Sequence, residues 1–267
     1  MKQVLSEQRD IIIFDCDGVF FSWKLFGGME KAKDFCAQVK VEALSHLLSF
    51  LSAEEIAAIG RRSYEETGDG LRYFVDIAEQ NSMDRAEFRE QADALYHQVM
   101  LKHARVRVPG LLAPCFESSR HLIALGNHVQ FGVLSQSCRD HWVKPLLKEK
   151  GINGCFKPDN IFGFREFGWN EKSVSAKGLG MIMDAMGADP SRVVFVEDTM
   201  ANLRPVKESY KEVVTVHLSD WQTVSPKDDY IDLCFSSNLE FLRALRAAHL
   251  AMAPSMQRTR DILGLHP

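Results

Sequence analysis

Ile11-Ile12-Ile13-Phe14-Asp15-Cys16-Asp17-Gly18-Val19 is the stretch that decides how this chain folds. Its first four residues form a short, continuous apolar run rich in β-branched side chains, the pattern of a buried strand. The run stops abruptly at Asp15, so the carboxyl end of the strand delivers acids to a loop. Comparable runs recur at residues 129–134, 193–196 and 213–216, each preceded by a segment with helical apolar spacing. Those helical segments are 111–125, 174–186 and 202–210. Alternation of this kind implies parallel strands joined by helical crossovers, hence an α/β fold, a Rossmann-like three-layer sandwich. Ligands in such sheets bind at the carboxyl ends of the strands, where Asp15, Ser135 and Asp198 all fall.

Between the first strand and the second the pattern changes. Residues 27–105 hold few strand-like runs, many Ala, Glu, Leu and Gln, and apolar residues at helical spacing. The expectation is an inserted all-helical domain at 27–105, with the Rossmann-like core formed by 1–26 and 106–267. Val106-Arg107-Val108-Pro109-Gly110 reads as an extended return into the core, since a proline disfavours helix at the residue before it. After residue 238 the chain reads as one amphipathic helix (239–252) and a polar tail.

The whole-chain balance narrows the function classes. With 32 basic against 36 acidic residues in 267, a formal charge of -4 and no long run of either sign, neither a nucleic-acid polymer nor an anionic membrane is the implied partner. The six cysteines are scattered, without CxxC pairs or zinc spacing, which favours free thiols in a reducing compartment. The polar start of the chain and the shortness of the apolar run after it argue against a signal peptide, and the expected location is cytoplasmic. A monomer or a homodimer is expected.

Four pieces carry chemistry. Asp15 and Asp17, at i and i+2 just beyond a strand, lie on one side of the extended backbone, where one can attack and the other handle protons. Ser135 and Gln136 end the second strand, where a hydroxyl and backbone N–H groups can bind a phosphate oxygen. Glu197-Asp198-Thr199 follows a third strand, and its acids together with Asp15 can hold a hard cation through oxygen. The fourth piece is a lysine to balance this charge: Lys157, Lys172 or Lys177. Taken singly, each piece has a plainer reading as a solvated acid pair, a helix cap or a surface turn.

Taken jointly and in this order, strand-DxDGV, strand-Ser, lysine before a helix and strand-acidic pair resemble the four motifs of the haloacid dehalogenase superfamily. The resemblance covers about 11–19 and 106–218, and it implies that the all-helical insert at 27–105 is a cap domain over a catalytic core. It implies Asp15 as the nucleophile that forms an aspartyl-phosphate, Asp17 as acid and base, Ser135 and Gln136 as phosphate ligands, and Mg2+ at Asp15, Asp17 and Asp198. Asn202 stands where many members carry another acid. Lys157-Pro158-Asp159 mimics a common form of the lysine motif but lies too far before Asp198. Lys172 lies two helical turns before Leu179, hence on its side if helical, whereas Lys177 points nearly opposite, so Lys172 is the expected motif lysine.

An acid at Asp17 suits an alkoxide leaving group, which a phosphatase or mutase needs and a dehalogenase does not. The expected substrate is a small phosphorylated metabolite. Leu25-Phe26-Gly27-Gly28 with the Glu-Asp-x-x-x-Asn form of the last motif is similar to pyrimidine 5'-nucleotidase-like members, and Phe20, Phe21, Trp23, Phe26, Tyr64, Tyr73 and Phe74 are rings that could stack on a base. Arg61 and Arg62 are candidates for a substrate anion. Sugar phosphates, phosphoglycolate, a phosphomutase reaction and a non-catalytic phosphate-binding member remain the alternatives.

Overall fold

A computed structural model of the chain describes residues 10–218 and 228–251. Six strands form one sheet: β1 (Asp10–Phe14), β2 (Val129–Leu134), β3 (Ile161–Phe162), β4 (Val193–Glu197), β5 (Val214–Leu218) and β6 (Leu233–Phe235). Every pairing is parallel, and the order is β3-β2-β1-β4-β5-β6. The strand that the opening stretch encodes therefore lies at the centre. The chain moves to one side of it with β2 and β3 and returns to the other with β4, so the carboxyl ends of β1 and β4 flank the crevice where the order reverses.

Alternate residues of the central strands face opposite layers. Ile12, Phe14, Val133, Val194 and Val196 pack with Leu122 and Leu125 of α6 (Phe116–Leu125), Leu146 and Leu147 of α7 (Lys144–Glu149), and Phe241 and Leu245 of α10 (Asn238–Ala251). Ile11, Ile13, Val193 and Phe195 pack instead with Leu179, Ile182 and Met183 of α8 (Lys177–Met186) and Leu203 and Val206 of α9 (Met200–Ser209). Burial on both faces is why these strands read as continuous apolar runs rather than as alternation.

Of the helices between β1 and β2, the first four α-helices form a unit of their own: α1 (Met29–Leu44), α2 (Ala53–Thr67), α3 (Arg72–Gln80) and α4 (Arg85–Arg107). Their boundaries follow local chemistry. Ser52 and Glu55 form a reciprocal capping box at the start of α2, Gly68 ends it in the left-handed conformation, and Asp84 caps α4. Leu44, Leu48, Ile56, Phe74, Phe88 and Ala92 give this unit a core of its own. Its root belongs to the sheet side, because Phe35 and Val39 of α1 and Met100 and Ala104 of α4 join the cluster around Phe14.

Several local expectations are corrected. Residues 106–110 are not an extended return: α4 runs through Arg107, only Val108 leaves the helix, and Pro109 opens α5 (Pro109–Leu112). Proline constrained one residue before itself and then served as a helix start. The helix expected over 111–125 is divided at Ala113, which is extended before Pro114. The helix expected over 174–186 begins only at Lys177. Strands β3 and β6, of two and three residues, were too short to register as periodicity. The polar tail falls outside the described residues beyond 251. All six cysteines are free of disulfides, and no helix among the described residues is long and apolar enough to cross a membrane.

Candidate active site

The crevice at the sheet's midpoint collects charge. Asp15, directly after β1, and Glu197 and Asp198, at and after the end of β4, are all buried, and each contributes a carboxylate oxygen to a group lying within 4.8 Å of one another. Lys172 is buried with them, its Nζ 2.5 Å from Asp15 Oδ1 and 2.6 Å from Glu197 Oε2. Burial first, and then the Glu197 charge, push the Asp15 carboxyl well above the usual carboxylate range despite the ammonium beside it. Burial would lower the Lys172 ammonium, but the Asp15 and Glu197 carboxylates more than offset it and hold the group charged.

Asp17 is oriented differently. Its Oδ2 accepts a hydrogen bond from the Ser137 hydroxyl at 2.6 Å and a longer one from Ser135 Oγ at 3.4 Å, while Oδ1 accepts from the Trp142 indole at 2.6 Å. Trp142 is brought there by a single π-helical turn over Arg139–Val143. Asp17 thus stays outside the group formed by Asp15, Glu197 and Asp198. The Asp198 carboxylate accepts from the Trp23 indole at 2.7 Å, and its carbonyl meets His217 Nε2 at 3.0 Å. Both Glu197 oxygens are engaged, by Lys172 and by the Thr199 backbone N–H. Glu197 therefore positions the lysine.

Gly18 makes this arrangement physically possible. Its φ of +75° is strained for other residues, and a Cβ there would lie 2.0 Å from Asp198 Oδ2 and 2.6 Å from the Trp23 indole nitrogen. Gly18→Ala is expected to destabilise the protein by about 1–3 kcal/mol, read from a denaturant melt. An unchanged melt would mean that Asp198 and Trp23 give way without cost.

Above these groups lies a cavity of about 820 Å3, walled below by the strand ends and above by α1, α2 and α4. Gln136 lines it, and its buried side-chain nitrogen has no hydrogen-bond partner among the described residues. The Ser135 N–H is spent on the Phe162 carbonyl, and its hydroxyl accepts from the Ser137 N–H at 3.1 Å, so Ser137 and not Ser135 lines the cavity. Asn202 also lines the cavity. Arg89 of α4 forms a bidentate pair with Asp69 and lies over the rings of Phe164 and Trp169.

Of the three lysines, only Lys172 reaches the acids; Lys177 and Lys157 are exposed. The reason differs from the sequence argument, since Lys172 lies before α8 and not on it. Trp23, Trp142 and Ser137 were not foreseen as partners of the acids. Nothing in sequence spacing marks a tryptophan that hydrogen-bonds an aspartate from far along the chain, although the second serine of Ser135-Gln136-Ser137 was a legible clue.

No family model matches the chain, and no curated protein matches it in sequence. Solved structures do match over nearly its full length. A haloacid dehalogenase-type hydrolase of family IA from Entamoeba histolytica superposes with a TM-score of 0.57 at 14% identity, covering 96% of this chain and 99% of its own. The 2-haloacid dehalogenase of Pseudomonas syringae gives 0.56 at 15% identity over 91% and 100%. The β-phosphoglucomutase of Clostridium difficile gives 0.54 at 15% over 92% and 100%. These neighbours carry different activities on one architecture, so what they share with this chain is the architecture. The chain has the haloacid dehalogenase-like fold.

Proposed function

We propose that the protein is a Mg2+-dependent phosphohydrolase that cleaves a small phosphate monoester through an aspartyl-phosphate on Asp15. The observation that carries this is the division of labour between two carboxylates on one loop. Asp15 is buried against Lys172 at the crevice of the sheet, while Asp17 is held apart by Ser137 and Trp142.

In this reading Asp15 attacks phosphorus and a P–O bond forms as the ester P–O bond breaks, with Asp17 giving its proton to the departing alkoxide. Asp17, now a carboxylate, then takes a proton from water as that water attacks the phosphorus of the acyl phosphate, which frees inorganic phosphate and restores Asp15. Lys172 neutralises part of the charge that would otherwise repel the phosphate, and the Gln136 amide and the Ser135 hydroxyl donate to its oxygens. Asp15 and Asp198 would hold the cation. Three buried carboxylates set against one ammonium leave negative charge that a hard divalent ion with oxygen ligands compensates, and the ion when bound adds Lewis-acid polarisation of the phosphoryl group. The helical unit, read as a cap over 27–105, keeps bulk water from the cavity.

Of the rings offered for stacking on a base, Phe21, Trp23, Phe26 and Tyr64 line the cavity. Phe20 and Phe74 are buried in hydrophobic cores, and Tyr73 hydrogen-bonds Glu66. Arg61 lines the cavity paired with Asp34, and Arg62 lies over the Tyr73 ring. A pyrimidine nucleoside monophosphate is thus one ester to offer among sugar phosphates, phosphoglycolate and an aryl phosphate. The test is phosphate release from this panel with Mg2+ and with a chelator. Chelator-sensitive release supports the reading, and no release from any ester overturns it. Asp17→Asn is expected to slow alkyl ester turnover by about 10²–10⁴-fold while sparing aryl esters, whose leaving groups need no proton. Equal losses on both would remove Asp17 from the role of acid.

A further inference from the structure

One cation in the cavity wall is unused by the chemistry above. Lys40, on α1, is 4% exposed, yet it forms no ion pair and no hydrogen bond with any described residue. Its ammonium sits 5.1 Å from the centroid of the Tyr96 ring, which leaves its hydrogen-bonding capacity unmet. The carboxylate that acts on it through space, Asp69, is committed to Arg89 at 2.6 and 3.1 Å and to the Leu71 backbone N–H. An ammonium on a nearly buried side chain, open only to the cavity and unpaired, is placed to meet an anion that enters there.

The surroundings are shaped to keep it there. A Cβ at Gly60 of α2 would stand 2.5 Å from Lys40 Cδ, and one at Gly70, in the turn before α3, would stand 2.8 Å from Nζ. Two missing side chains thus make the slot along which the lysine reaches the cavity that Asp15 and Asp17 line from the other side. Burial pushes the Lys40 ammonium below its usual range, so an incoming anion would restore what the fold withholds.

We propose that Lys40 binds a second anionic group, a carboxylate or a further phosphate, carried by the phosphate ester at the end remote from the reacting phosphorus. The substrate class is then a phosphate ester with an acidic tail, a specificity that rests on the phosphohydrolase reading, whereas the anion site itself does not.

The test uses full-length Asp15→Asn protein, so that intact esters are bound without turnover and affinities come from calorimetry. Three probe series of increasing chain length are compared: alkyl phosphates, phosphorylated hydroxy acids and alkanediyl bisphosphates. At least one acid-tailed probe is expected to bind about tenfold or more tightly than the alkyl phosphate of equal length, as a charge-assisted hydrogen bond implies. Lys40→Met should erase that advantage while alkyl phosphate affinity stays within about twofold. The series that shows the advantage tells carboxylate from phosphate. Should Lys40→Met fail to fold, Gly70→Ala, which crowds the ammonium without removing it, must reduce the same advantage. Equal binding of all three series, or an advantage that survives both variants, overturns the proposal. If the wild-type chain hydrolyses no ester but the binding pattern holds, the phosphohydrolase reading falls and the anion site stands.

Discussion

Asp15→Asn protein is expected to turn over every ester at least about 10⁴-fold more slowly than wild type and to trap no phosphoenzyme on acid quench. The amide fills the same space and can still accept from Lys172, so the expected loss is of the proposed nucleophile and not of the site's shape. The stability arm has the opposite sign. Burial and the Glu197 charge raise the Asp15 carboxyl in the fold above the unfolded value of 3.8. Such a group favours the fold below its unfolded pKa, and that contribution is lost as pH rises through the folded pKa. At neutral pH with chelator present, Asp15→Asn should therefore melt no lower than wild type. Near-normal turnover in this variant would end the covalent mechanism. A lower melting temperature would show that the Lys172 pair outweighs the burial of the carboxylate.

Lys172→Met should have the second large effect, and on both stability and turnover. The side chain bridges Asp15 and Glu197 from a fully buried position, and removing it leaves two carboxylates uncompensated. Breaking one partner of such a buried pair costs about 3–5 kcal/mol. Turnover should fall by about 10²–10⁴-fold, because the positive charge facing the incoming phosphate is gone. Lys177→Met is the matched control: the residue is exposed at the start of α8, and its loss should change stability by no more than about 0.5 kcal/mol. The reverse result, Lys177→Met inactive and Lys172→Met nearly silent, would reassign the lysine.

The parts of this fold legible in sequence are those whose physics is local. Residues 11–14 announced β1 because both faces are buried, and the acids after it could only stand at a strand end. Glu197-Asp198 was legible for the same reason. The helical nature of 27–105 followed from spacing, and α4 outran its expected end because a single residue, Val108, absorbed the constraint of Pro109. What stayed hidden depends on contacts made across the chain. Trp142 reaches Asp17 and Trp23 reaches Asp198 only once the sheet has assembled. Lys172 was picked on a helical argument although its segment is not helical, because the pull of two buried carboxylates has no trace in periodicity.

The place of β1 in the middle of the sheet governs when the charge cluster of this protein can form during its synthesis. β1 is the first strand made among those described, yet its neighbours β2 and β4 come only after the four-helix unit and after β3 respectively. Asp15 meets Lys172, Glu197 and Asp198 at that late stage, so no nascent fragment ending before β4 holds a complete charge cluster. Assembly through such distant partners is slow compared with helix formation. Recovery of the proposed phosphohydrolase activity after dilution from denaturant should accordingly lag behind recovery of helical signal, which would make that activity a reporter of sheet closure.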